Sequence, residues 1–359
     1  SRNTQGKPRY GYLYATSYHE VRNNLQRVIQ AMNTCDADDA EKIPATNCKF
    51  MGFSVIWLEN SSTSLKESTY IRYRTLLNCY LMPSFQQLEI SEITSERVCT
   101  FCKELEKHGK KDGAGLSPKT ISDILSVLRR ILHYAQDQNI SIDVTAFNVR
   151  VKQTPKVMEI LSLSEQATLQ EHLMNQLDSL NLGILICLYT GIRVGELCAL
   201  TWEKISFSDK TICICQTMQR IQKRTSENKK THIIIAAPKS SSANRVIPIP
   251  NTLLKILSQY PMEKTGYFLS GSLSEVVEPR RIQYRFHKIL KECGIDRKNF
   301  HVLRHTFATR CVEANIDIKT LSEILGHSSV SITMNRYVHP SLSLKRDSME
   351  KLADFIAVK

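Results

Sequence analysis

Ser331-Ile332-Thr333-Met334-Asn335-Arg336-Tyr337-Val338-His339 decides how the chain is read, because of what lies upstream of it. Ten residues before Tyr337 stands the pair Gly326-His327. Further back comes His301-Val302-Leu303-Arg304-His305, and further still Thr190-Gly191-Ile192-Arg193-Val194-Gly195-Glu196-Leu197. A side chain that cleaves a phosphodiester must be a nucleophile, and it needs clamps for the non-bridging oxygens, a proton donor for the leaving oxygen and positioning groups. A tyrosine hydroxyl, two arginines and two histidines supply most of that set. Arginine suits the clamp, because its planar fork is always charged and grips phosphate at two points. A free tyrosine has a pKa near ~10, so it needs a cationic pocket to react.

Each motif also has a plainer reading when taken alone. Arg193 follows Gly191 at the end of the apolar run Leu182–Tyr189, so the glycine permits a tight turn and Arg193 starts a second short helix. The alternative is a buried salt bridge to Glu196 or Glu203. His301 and Arg304 stand three apart and project from one helix face, with Leu303, Phe307 and Cys311 as a separate anchoring stripe. They could equally be surface groups near a helix start. His305 is given a supporting place behind them. Gly326 ends a helix over 318–325, which puts His327 in a turn, either as a ligand or as an incidental cap residue. Tyr337 by itself would be a packing tyrosine.

In order, these boxes resemble those of the tyrosine recombinases, the phage-integrase family, over roughly residues 50 to 357. The likeness is greatest to integrases of mobile elements, phage or conjugative transposon. It implies a mainly α protein with a small β-sheet, a helical core-binding domain and a mixed α/β catalytic domain forming a clamp around DNA. It implies that Arg193, His301 and Arg304 contact the scissile phosphate, that His327 bonds a phosphate oxygen, and that His301 takes or shares the proton of Tyr337. Lys239, in Ala236-Ala237-Pro238-Lys239-Ser240, resembles the family's β-hairpin lysine, which protonates the leaving 5′-oxygen. Ala237 stands where the family usually has threonine, and Lys229 and Lys230 compete for the role. Tyr337 would attack to give a 3′-phosphotyrosine and then a Holliday junction, with four subunits on two duplexes. Expected partners are double-stranded DNA attachment sites, three further copies of the chain and an accessory directionality factor, with no membrane. No cofactor is expected, neither metal nor ATP. Relaxation of supercoils in the manner of a type IB topoisomerase, and DNA binding without catalysis, are the alternatives.

The bulk properties fit this reading. At 359 residues with 42% hydrophobic content, the chain can bury two or three cores. A net charge of +13 favours a polyanionic partner, nucleic acid or an acidic membrane surface, over a merely solvated basic face. No apolar run approaches the ~18 residues of a membrane span, and no signal-peptide pattern opens the chain. Ser1 in place of Met reads as a processed chain or a fragment. Eleven cysteines, including Cys187, Cys198, Cys213 and Cys215 in apolar runs, read as buried thiols of a reducing cytoplasm. By resemblance the setting is a bacterial cytoplasm, in association with the nucleoid. Cys99-Thr100-Phe101-Cys102 lacks a second ligand pair and falls within a helical pattern, which argues against zinc.

Five segments are expected. Residues 1–47 read as a strand and helix followed by a linker; the pair resembles the tail of the family's N-terminal arm-binding domain, the alternative being a helix that packs locally or serves as a linker. Residues 48–145 read as a core-binding domain of helices over 49–60, 65–82, 94–108 and 117–138, with Ser64, Thr94 and Ser117-Pro118 at their starts. In the last helix Ile121, Ile124, Leu125, Leu128, Leu132 and Ala135 share an apolar face, and Lys119, Ser122, Ser126, Arg129 and Arg130 lie off it. Residues 146–158 form a basic linker with Arg150, Lys152 and Lys156. Residues 159–344 form the catalytic domain, with one sheet over 210–217, 231–236 and 244–249 and a basic turn holding Arg220, Lys223, Arg224, Lys229 and Lys230. Residues 345–359 form a C-terminal helix whose apolar stripe packs on its own catalytic domain or, as the resemblance implies and as is favoured here, is exchanged between subunits. The candidate DNA contacts are Lys119, Ser122, Arg129, Arg130, Arg150, Lys152, Lys156, Arg220, Lys223 and Arg224.

Overall fold

The computed structural model describes residues 49–110, 112–153, 158–223, 231–237, 241–261 and 264–338, together with 346, 349, 350, 352, 353 and 356. The expected N-terminal remnant, Lys156, Arg224 and Lys239 lie outside these residues. The chain divides into two compact units, one of residues up to 64 plus 73–151, the other of 65–72 plus 152 onward.

The first unit is helical. It contains α1 (Phe50–Ser61), the end of α2 (Glu67–Leu76) from Tyr73 onward, α3 (Met82–Phe85), α4 (Ser95–His108) and α5 (Pro118–Asp137). Thr94 and Ser117 cap α4 and α5 as expected, accepting from the backbone N–H of Arg97 at 3.3 Å and Thr120 at 3.2 Å. Ser64 does not cap α2. Its hydroxyl donates back to the Ser61 carbonyl, and α2 starts three residues later. The expected second helix also runs further than 82, because a π-helical stretch, Leu77–Leu81, joins α2 to α3 and keeps Leu77, Leu81 and Phe85 all buried. The predicted face of α5 is buried throughout, with Val127 and Ile131 added to it. It closes over Phe50, Phe85 and Phe101, whose rings pack at 5.8 and 4.9 Å. Burying each aliphatic side chain contributes roughly 1.5–3 kcal/mol.

The second unit is built around α7 (Ser179–Thr190), apolar on nearly every side and buried from Asn181 to Leu188. Asp178 caps its start by accepting from Asn181 N–H at 2.7 Å. Around it lie α6 (Leu163–Asn175), α8 (Val194–Ala199), α9 (Asn251–Gln259), α10 (Pro279–Glu292) and α11 (Val302–Glu313), followed by α12 (Ile318–Leu325) and α13 (Val330–Tyr337).

The strands differ from the single expected sheet. β1 (Ile205–Ser206), β2 (Thr211–Ile214) and β5 (Arg245–Pro248) form one antiparallel sheet in the order β1-β2-β5. β3 (Thr217–Gln222) and β4 (Thr231–Ala236) form a separate two-stranded ribbon. The apparent strand 210–217 is therefore the end of one sheet and the start of another, broken at Cys215-Gln216. Ile212 and Ile214 bury inward, Ile212 opposite Ile247, while the ribbon packs on α8. That packing needs Gly195, where a Cβ would come within 2.6 Å of Thr217 Oγ1 and 2.7 Å of the Met218 carbonyl. Cys187 and Cys198 are buried as expected, but Cys213 and Cys215 are only half-buried at the sheet margin. The described residues of the C-terminal segment are helical, with Met349, Leu352 and Ile356 exposed. No described helix is long and apolar enough to cross a membrane.

Candidate active site

Two glycines shape the site. α7 ends at Gly191, whose left-handed φ of 66° turns the chain abruptly. A Cβ there would come within 2.5 Å of the Phe307 ring. α12 ends in the same way at Gly326, also with φ 66°, where a Cβ would crowd Arg245 at 3.0 Å. These turns put Arg193 at the start of α8 and His327 just beyond α12.

Arg193 realises both of its sequence readings. Nη1 donates to Glu196 Oε1 at 2.6 Å and Nη2 to the Gly326 carbonyl at 3.3 Å, yet 36% of the side chain stays exposed to the pocket. Glu203 is not its partner, since it accepts from the Gly266 N–H. Glu196 is buried and is held from its other side by Arg245, whose Nη2 and Nη1 reach its two oxygens at 2.9 and 3.2 Å. Burial alone would push the Glu196 carboxyl up. Arg245 first, and then Arg193, outweigh burial and hold it below the usual range. Arg245 also donates to the carbonyls of Ile324 and Ala243.

Arg304, on the first turn of α11, is 2% exposed. Nη1 donates to the Gly191 carbonyl and Nη2 to the Leu325 carbonyl, both at 2.8 Å. Nη2 also lies 2.9 Å from His327 Nε2. Burial, and after it Arg193, push its pKa down to about 9. A guanidinium can only donate, so His327 Nε2 accepts, which leaves Nδ1–H to donate to Thr333 Oγ1 at 2.8 Å. His327, His301 and His305 are each pushed down to about 4, first by burial and then by neighbouring charged and basic groups, so all three are neutral at pH 7.

Tyr337 closes α13 and is 5% exposed. Its ring stacks parallel to that of His327, with centroids 6.4 Å apart. Its hydroxyl lies 3.0 Å from His305 Nδ1. This corrects the expected arrangement, in which His301 shared the tyrosine proton and His305 stood behind. Instead His301 packs edge-on against His305, with centroids 4.6 Å apart and rings at 89°. Burial raises the Tyr337 pKa, while Arg304 and Arg336 act against that rise. Arg193, His301, Arg304, His327 and Arg336 line one open pocket beside it.

Sequence reasoning thus passed over two residues and gave a third, His305, only a supporting place. Arg336 was quoted within the tyrosine box but given no part. Arg245 read as an ordinary strand residue. His305 was visible as the i+4 neighbour of His301, a spacing that puts both on one helix face.

The candidate DNA contacts are scattered. Lys119 is exposed and pairs with Asp123 at 3.0 Å, and Ser122 is half-buried. Arg129 does not present a free fork. It donates to the carbonyls of Phe147 and Val149 and so pins the segment that follows α5. Arg150 reaches the same two carbonyls. Arg130 is exposed and stands over the Tyr73 ring at 5.7 Å, and Lys152 is exposed. Arg220 is not in the basic turn but on β3, where its Nε donates to Glu278 at 2.6 Å and its Nη1 to Thr231 at 2.8 Å. Lys223 is half-buried at the end of that ribbon. Among the described residues no cluster of three or more His, Cys, Asp or Glu side chains is placed to hold a metal ion.

The phage integrase family profile matches residues 148–343, and that of the phage integrase N-terminal SAM-like domain matches 49–105. The chain therefore belongs to the phage integrase family, and it is a tyrosine-type site-specific recombinase. It is 28% identical over 325 residues to a XerC-like tyrosine recombinase of Caldanaerobacter subterraneus subsp. tengcongensis, covering 83% of this chain and 81% of that protein. It is 22% identical over 314 residues to the ICEBs1 integrase of Bacillus subtilis, covering 84% and 82%. Its fold is similar to that of the Tn1549 transposon integrase solved with a circular intermediate DNA, with a TM-score of 0.70, 19% identity, and coverage of 85% of this chain and 100% of that one. A lambda integrase dimer bound to a COC′ core site matches with a TM-score of 0.60 at 18% identity, covering 80% and 95%.

Proposed function

We propose that the chain integrates or excises a mobile element by cutting and rejoining double-stranded DNA at attachment sites. The observation that carries this reading is the convergence of Arg193, Arg304, His301 and His327 on one open pocket beside the Tyr337 hydroxyl. Arg193 and Arg304 grip the non-bridging oxygens of the scissile phosphate. His301 and His327 complete the cradle, His327 giving up its bond to Arg304 and taking a hydrogen on Nε2 so that it donates to a phosphate oxygen. Tyr337 Oη attacks phosphorus, the bond to the 5′-oxygen breaks, and Lys239 gives that oxygen a proton. The 3′-phosphotyrosine conserves the energy of the broken bond. A second strand's 5′-hydroxyl reverses the step, and repetition on the other strands passes through a Holliday junction.

Residues 48–145 and 159–344 serve as core-binding and catalytic domains, joined by the linker 146–158. Arg150 and Lys152 lie in that linker, and with Lys119, Ser122, Arg130, Lys156, Lys223 and Arg224 they supply contacts to the DNA backbone. Four copies act on two duplexes, with an accessory directionality factor biasing integration against excision. The exposed Met349, Leu352 and Ile356 support exchange of the 345–359 helix between copies.

The test is covalent capture. A nicked suicide duplex, its core sequence selected from a randomised pool by binding, should yield a detergent-stable adduct with the wild-type chain in the presence of EDTA. Tyr337→Phe should bind that duplex and form no adduct. An adduct from the phenylalanine variant would refute Tyr337 as the nucleophile.

A further inference from the structure

We propose that His305 is the catalytic residue that accepts the phenolic proton of Tyr337, and that the arriving scissile phosphate switches this base on. The inference rests on the recombinase reading of the same site and assigns it a proton path.

The geometry comes first. His305 Nδ1 lies 3.0 Å from the Tyr337 hydroxyl, and the two rings meet at 53°. The Arg304 and Arg336 guanidiniums lie near the phenol and act against the rise of its pKa. Guanidinium groups have no acceptor, so the phenolic hydrogen must point elsewhere, and His305 Nδ1 is the acceptor in reach. Neutral imidazole with its hydrogen on Nε2 presents that lone pair. The His305 ring is held in place. It sits edge-on to His301, and its backbone N–H donates to the His301 carbonyl at 3.1 Å. His301 faces the phosphate pocket, whereas His305 faces the nucleophile.

The switch follows from the charges around the ring. Acting on His305 are Arg336 from α13 and Arg304 from its own helix, with His301 and Tyr337 as titratable neighbours. Burial and these two cations hold its pKa near 4, so it is a poor base. A phosphodiester lying against Arg304 and Arg336 brings a negative charge that offsets them, and the affinity of His305 for a proton rises. The tyrosine is thereby guarded until DNA is seated.

The step balances. The Tyr337 Oη–H bond breaks and its proton passes to His305 Nδ1. The Oη–phosphorus bond forms, the phosphorus–O5′ bond breaks, and the 5′-oxygen takes the proton of the general acid. On rejoining, the 5′-hydroxyl gives its proton back to the general acid and attacks phosphorus, the phosphorus–Oη bond breaks, and His305 returns its proton to the Tyr337 oxygen.

The experiment measures single-turnover adduct formation on the selected suicide duplex. His305→Gln keeps a hydrogen-bond acceptor for the hydroxyl but takes no proton. It should slow cleavage by ~100-fold or more, the usual worth of a general base, with duplex binding kept. Its rate should climb with pH where the wild type is level. Trifluorotyrosine at position 337, a more acidic nucleophile with less need of a base, should recover at least ~10-fold in the glutamine variant and much less in the wild type. An undiminished rate in His305→Gln overturns the proposal. So does a slow variant that neither pH nor fluorination restores, because His305 would then only orient the ring. If the wild-type chain itself forms no adduct, the recombinase reading of the site fails and this proposal fails with it. An adduct from the wild type isolates the fault to His305.

Discussion

Replacing Arg245 with methionine removes a cation that the pocket never shows to solvent. In the intact protein the Arg245 guanidinium satisfies both oxygens of buried Glu196 and the carbonyls of Ile324 and Ala243. Methionine fills much of the volume but leaves Glu196 with Arg193 alone and strands the two carbonyls. Breaking a buried ion pair on one side costs about 3–5 kcal/mol. Urea unfolding measures this directly. The chain has two tryptophans, and Trp202 is buried in the second unit, so fluorescence in a Trp57→Phe background reports on that unit. The pH dependence has a definite sign. The Glu196 carboxyl is held below its unfolded value, so its stabilisation is present above roughly pH 4.3 and is lost as pH falls through the folded pKa. In Arg245→Met, burial dominates and Glu196 protonates at higher pH, which relieves the stranded charge. The gap between variant and wild type should be full at pH 7 and should shrink toward pH 4. A variant within ~1 kcal/mol of wild type at pH 7 would refute the reasoning, as would a gap of constant size from pH 7 to pH 4.

Lys239→Ala should be slow on ordinary DNA and should recover on a 5′-bridging phosphorothiolate, whose sulfur leaves without a proton; a variant that stays slow there removes Lys239 from the acid role. Deleting 345–359 should leave band shifts on one site nearly intact and weaken assembly on paired sites, whereas unchanged pairing would place that helix on its own subunit.

Much of the architecture is readable because local rules act alone there. The face of α5 follows from its apolar spacing, and the starts of α4 and α5 follow from Thr94 and Ser117. The turns at Gly191 and Gly326 follow from the glycines that end two apolar helices. What escapes depends on distant partners. Arg245 owes its place to Glu196, 49 residues away, and to Ile324, 79 residues away. The division of the sheet depends on which strand meets Ile212 across the chain, and the π stretch on where Leu77 and Leu81 must sit in the core. Arg220 looked available because its sequence neighbours are basic, while Glu278 lies 58 residues off. For the site, the boxes name residues that share one pocket, but which histidine meets the hydroxyl is a matter of helix phase.

The two carbonyls that hold Arg304 come from helix ends. Gly191 caps the C-terminus of α7, and Leu325 is the last residue of α12. Each end carries the negative pole of a macrodipole, equivalent to about half a charge. One guanidinium therefore sits where two such poles meet, and they offset part of the cost of burying it. A countercharge made of backbone cannot swing away on a rotamer, nor be protonated off as a carboxylate can. The anchor of the phosphate cradle is thus as stiff as the helices that carry it. Errors in its aim come from how α7 and α12 pack, and substitutions deep in that packing can misalign the site without touching a residue in it.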